Sequence, residues 1–168
     1  MDLATFWSLI DQSRRAGNGD AQLQIENLKS LLAELDSAEV VDFDRHFGEC
    51  HDRAFTWDLW GAAFIIGGGC SDDGFIDFRA WLISRGERVF EAALLDADSL
   101  ARAVKSNDGD CRHEAFLYVA ADVWEQLTDL PADEFPEHAI ERKVDPDGEP
   151  WEEEDLAERL PNLSRKFS

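Results

Sequence analysis

Apolar positions in this chain recur at helical spacing, with no run of strand-like alternation. Over residues 5–16, Phe6, Leu9, Ile10 and Ser13 form one stripe, Thr5 stands where an N-cap would, and Gly17-Asn18-Gly19 supplies a stop. Asp20 opens a second helix to about residue 35, with Leu23, Leu28, Leu31, Leu32 and Leu35 on its buried side. Ser37 opens a third, ending near Thr56, whose apolar face is Val40, Phe43, Phe47, Cys50 and Ala54. Its other face carries Asp42, Arg45, Glu49 and Arg53 at i,i+3 and i,i+4 spacings, a salt-linked solvent face. His46 and His51 fall on the two edges of the apolar stripe.

The stretch 57–86 organises the pattern. Thr56 caps a helix over 57–66 that is apolar all round except for Asp58 in its first turn, which predicts a central, buried helix. Gly67-Gly68-Gly69 ends it, because glycine takes the left-handed conformation of a helix stop without a Cβ clash. Ser71 caps the next helix, Asp72 and Asp73 occupy its first turn, and Phe75, Phe78 and Leu82 form its stripe beside Trp81. Trp60, Phe64, Phe78 and Leu82 are expected to be buried. Short helices follow at 87–95 and 98–104, then an Asn107-Asp108-Gly109 turn and a long helix over 111–127 with Phe116, Ala120, Val123 and Leu127 inward.

From Pro131 to Pro150 the prolines break helical continuity. Between Ala132 and Glu158 twelve acids face only Arg142 and Lys143, a local charge of 2 − 12 = −10. A last short helix is expected at 151–160, with Leu163 and Phe167 pinning the terminus. The fold class is therefore all-α, a single-domain multi-helix bundle over residues 1–168. Its helical core spans about 5–128, and an acidic, proline-containing segment spans about 131–168, of which Ala132–Pro150 is expected to be irregular and more mobile than the helices.

The string W-D-L-W-G-A-A-x-I-I-x-G-G-C-S-D-D-G-F-x-x-F-R-x-W-L-I, at residues 57–83, resembles the signature of a bacterial domain-of-unknown-function family of small, mainly helical proteins. The likeness runs from about Phe6 to Trp124, with a weaker echo around Trp151. It implies a helical fold and brings with it no reaction, cofactor or catalytic residue.

Charge narrows the partners. The net charge is −21 and the isoelectric point about 4.3. Such a field repels a phosphate backbone, so nucleic acid and anionic membranes fit badly and a basic protein fits better. No apolar run reaches the ~18 residues of a membrane span, and the first residues lack the basic region of a secretion signal. Cys50, Cys70 and Cys111 are widely spaced, as expected of reduced thiols in a cytoplasmic protein.

Several constellations could carry chemistry. Glycines before a helix suit phosphate, but Cys-Ser-Asp-Asp follows where a P-loop needs Lys and Ser/Thr. A tight helix–helix corner explains them. Asp72, Asp73 and Asp77 form a D-D-x-x-x-D pattern that could hold Mg²⁺ or Mn²⁺, and Asp72 and Asp73 are equally good first-turn residues. His51-Asp52 is a bare HD pair without the partners of a metal phosphohydrolase. A zinc set of His46, Cys50, Cys70 and His113 or Cys111 has no CxxC or HxxxH support. Ser71 serves better as a cap than as a nucleophile. Arg79 lies on a mostly apolar helix, where a buried guanidinium needs a carboxylate. Asp58 or Asp72 is expected to supply it, or else Trp57, Asp58, Trp60, Asp72, Asp73 and Arg79 line a polar pocket.

These readings favour a cytoplasmic binding or interaction domain without a cofactor, an acidic partner or inhibitor of a basic protein. The rival is a small metal-dependent hydrolase using the Asp cluster of Asp58, Asp72, Asp73 and Asp77 around the Gly67–Gly69 corner.

Overall fold

The computed structural model describes residues 1–105, 108–109 and 111–167. The Asn107 of the expected turn lies outside the described residues. Ten α-helices occur among the described residues: α1 (Leu3–Gly17), α2 (Ala21–Ala33), α3 (Ser37–Arg53), α4 (Trp57–Gly67), α5 (Asp72–Ser84), α6 (Glu87–Leu95), α7 (Leu100–Ala103), α8 (Val119–Thr128), α9 (Leu156–Arg159) and α10 (Pro161–Phe167). Among these residues there is no strand, only an isolated parallel bridge between Thr56 and Asp147. The fold is all-α.

Local chemistry sets the helix starts. The Asp20, Thr56 and Ser71 side chains accept the backbone N–H of Leu23, Leu59 and Gly74, satisfying donors that a helix start leaves open. Two caps differ from expectation. Asp2, not Thr5, caps α1 and accepts the Thr5 N–H at 2.8 Å. Asp36, not Ser37, caps α3, in a reciprocal capping box with Glu39. In both cases a carboxylate one turn or one residue upstream is the stronger acceptor. The expected helix over 111–127 is instead a 3-10 turn at Glu114–Tyr118 leading into α8.

α1 and α2 pair, α8 lies against α2 and α3, and α5 runs between α3 and the Glu114–Tyr118 turn. α5 is the central helix, since every residue from Phe78 to Ser84 is buried. α4 is not, although its sequence is apolar all round. Leu59, Ala62, Ala63 and Ile66 are buried, whereas Trp60 and Phe64 are only half-buried. Its outer side is covered by the C-terminal segment. The built Cβ of an alanine at Gly61 would lie 2.8 Å from Leu156 and 3.3 Å from Leu160, so the missing side chain is what lets α9 approach. Leu23 is 46% exposed rather than buried. α2 turns Gln24, Ile25, Leu28 and Leu32 inward, and Gln24 donates to the Ser84 carbonyl at 2.9 Å.

The acidic segment is irregular but packed. Trp151 donates its indole N–H to the Trp57 carbonyl at 2.7 Å, and Asp147 exchanges backbone hydrogen bonds with Phe55 and Trp57. Buried Asp98 accepts the N–H groups of Asn162 and Leu163 and so holds the start of α10. Like charges along this segment repel one another, and these hydrogen bonds and ring contacts hold it against the body.

Candidate functional site

The glycine corner builds structure. Gly68 and Gly69 have φ of 64° and 134°, conformations L side chains rarely adopt, and they turn the chain from α4 into α5. Trp60 is stacked on Trp57 (5.5 Å, 11°) and on Phe75 (4.9 Å, 15°), and it donates to the Cys70 carbonyl at 3.1 Å. The indole thereby ties both helices to the loop between them.

The acids of the corner disperse. Asp58 is 67% exposed and stands 3.9 Å from Arg159. Asp72 and Asp73 are exposed first-turn residues of α5, and Asp77, half-buried, lies further along that helix. Among the described residues, no three His, Cys, Asp or Glu side chains converge as a metal ion would need. The zinc set disperses as well. His46 bonds the Met1 carbonyl, and Cys50 lies in the core, where burial pushes its thiol up to about 12.

Arg79 departs from both expectations. It is 8% exposed, yet makes no ion pair among the described residues and meets neither Asp58 nor Asp72. Its Nη1 donates to the His51 carbonyl at 3.0 Å and its Nε to the Phe75 carbonyl at 3.4 Å. The guanidinium lies over the rings of Phe55 (4.6 Å) and Phe75 (5.1 Å). Carbonyl dipoles and ring faces thus replace the carboxylate. Burial lowers its pKa to about 10, with Asp52 opposing and Arg142 adding to that shift, so it stays charged at neutral pH.

Arg79 reaches a cavity of about 420 Å³ between α3, α5 and α8. His51 lies beside it and is 8% exposed, with Nε2 3.0 Å from the Ile76 carbonyl. That carbonyl can only accept, so Nε2 carries the proton and Nδ1 is the acceptor. Burial, then Arg79, pushes the His51 pKa down to about 4, and the ring is neutral at pH 7. Phe47, Ile76, Leu117, Ala121 and Phe135 give the cavity apolar walls.

The cavity is covered by residues 135–143, a strap from the acidic segment. Phe135 packs edge-on against Trp124, His138 bonds Asp44 at 2.9 Å, and the Lys143 N–H donates to Asp52 at 2.9 Å. Burial raises the Asp44 pKa, against the lowering effect of the His138 hydrogen bond. Gly48 of α3 makes room, because a Cβ there would sit 2.9 Å from Ile140 Cδ1. Sequence reasoning singled out Arg79 but missed Asp44, His138 and Arg142, which lie about 90 positions from their partners or have no motif. The one available signal was Gly48 in the middle of an amphipathic helix.

On another face, Asp58, Asp96 and Glu149 line a shallow depression with Leu95, which is 90% exposed. Arg159 also lines it, but its Nη1 and Nη2 donate to the Glu149 and Pro150 carbonyls. Glu152, Glu153, Glu154 and Asp155 are all exposed on the neighbouring turn.

No helix among the described residues is long and apolar enough to cross a membrane. Neither a search of curated proteins nor one of solved structures finds a match. A family model described as "Protein of unknown function (DUF4240)" matches residues 1–126, three quarters of the chain and every cavity-lining residue of α3, α5 and α8, and the protein belongs to that family.

Proposed function

We propose that the protein is an interaction domain that docks a basic protein partner, as an acidic binding partner or inhibitor would. The observation that carries this reading is the depression that Asp58, Asp96 and Glu149 line together with Arg159 and a Leu95 that is 90% exposed. An exposed apolar side chain beside three carboxylates, in a chain of net charge −21, matches a partner with an apolar contact beside basic groups.

The test uses a partner captured from native lysate, with association followed at rising salt. Exposed charges are screened over about 10 Å at 0.1 M salt, so the association rate should fall as salt increases. Neutralising Glu152, Glu153, Glu154 and Asp155 together should slow association. Leu95→Ala should instead speed dissociation. A captured partner that responds neither to salt nor to these changes would overturn the reading.

A further inference from the structure

The Arg79 cavity lies on a different part of the molecule from the acidic depression, and the docking reading does not use it. Arg79 is more than nine-tenths buried as a residue, two of its guanidinium nitrogens are committed to protein carbonyls, and the group lies over two rings. Its Nη2 has no hydrogen-bond partner among the described residues and is not sealed in the core. A charged donor open to a cavity takes an acceptor there, which water or a ligand can supply. Arg142 lines the same cavity from the strap, together with an apolar side of Phe47, Ile76, Leu117, Ala121 and Phe135 and a polar side of Asp44, His51, Asp52 and His138.

We propose that this cavity is a binding site for a small organic monocarboxylate, with Arg79 Nη2 and Arg142 receiving the carboxylate and Phe47, Ile76, Leu117, Ala121 and Phe135 enclosing its apolar body. The volume of about 420 Å³ falls in the range of small-molecule sites. A planar guanidinium edge matches a carboxylate. A phosphate dianion fits less well, since Asp44 and Asp52 also line the walls. Those two acids already accept hydrogen bonds, Asp44 from His138 and Asp52 from the Lys143 N–H, whereas Arg79 Nη2 is still free to donate. The neutral His51 ring beside it adds no competing positive charge. The floor of the site lies within the family-matched residues, whereas Phe135, His138 and Arg142 lie beyond them. The family region therefore supplies the buried anchor, and the strap supplies the cover and second arginine.

Calorimetric titration of the full chain with hexanoate and with benzoate tests this, with their neutral amides and inorganic phosphate as controls. Saturable binding of a carboxylate is expected, with none of its amide. Arg142→Gln, at an exposed position where folding should be untouched, is expected to weaken it roughly tenfold through loss of one charge-assisted bond. Arg79→Lys keeps the charge but loses the planar edge and should weaken it further. Ala121→Phe, which fills the apolar half of the cavity, should block it. No carboxylate binding up to about 10 mM, or binding indifferent to Arg142→Gln and Ala121→Phe, would overturn the site. Tighter binding of phosphate than of either carboxylate would overturn the ligand class.

Discussion

The glycine corner and the strapped cavity make opposite uses of buried polar chemistry. At the corner, a dense motif of tryptophans, glycines and aspartates produces a joint. The indole N–H of Trp60 is satisfied by Cys70, the capping hydroxyl of Ser71 by Gly74, and the acids face outward. At the cavity, residues from five stretches of chain leave one arginine nitrogen without a protein acceptor among the described residues. Motif density marks where the backbone must be held. A charged donor that opens onto a cavity has room for a further acceptor.

The largest expected effect separates the central helix from the corner. Phe78 is fully buried in α5, so Phe78→Ala should cost about 3–5 kcal/mol in denaturant unfolding. Trp60 is half-buried, so Trp60→Ala should cost less, about 2 kcal/mol, through lost stacking and an unsatisfied Cys70 carbonyl. Equal costs would show that the corner is as deep a part of the core as α5.

Next comes the cavity's own pH signature. His51 is pushed from 6.5 down to about 4, first by burial and then by Arg79. Below pH 6.5 the unfolded chain protonates this histidine while the folded chain does not until about pH 4. Stability tied to His51 is therefore complete above 6.5 and is lost as pH falls toward 4, by up to about 3 kcal/mol. Denaturant unfolding across this window should show the slope in wild type and a shallower one in His51→Gln. Parallel slopes would mean that His51 is not held neutral.

The smallest effect concerns the strap. At Gly48 an added methyl meets only the tip of Ile140, and alanine gains roughly 0.5–1 kcal/mol of helix preference over glycine. Gly48→Ala should thus change stability by less than about 1 kcal/mol yet loosen the strap, seen as faster protease cutting within residues 135–143. Unchanged cutting would show that the Ile140 contact does not hold the strap in place.

Much of the scaffold was legible in the chain. The periodic stripes place α1 to α6, and the caps at Asp20, Thr56 and Ser71 follow from side chains that reach their own backbone three residues on. Such local bonding depends on sequence spacing alone, as does the helix stop at Gly67–Gly69. Relative depth was not legible. α4 reads as the most apolar helix but is partly peripheral, while α5, with its aspartates and arginine, is central.

What the sequence by itself determined, then, was the all-α class, the helix-by-helix order, the glycine corner and the acidity. These rest on local periodicity, capping and composition. Only the tertiary structure decided that Arg79 meets the carbonyls of His51 and Phe75 rather than Asp58 or Asp72. Only it decided that the acidic segment folds back over α3 through His138–Asp44 and Lys143–Asp52, contacts more than 90 residues apart in sequence. The physical reason is that a buried charge takes whichever dipoles packing delivers to it, and packing between distant segments leaves no periodic trace in either one.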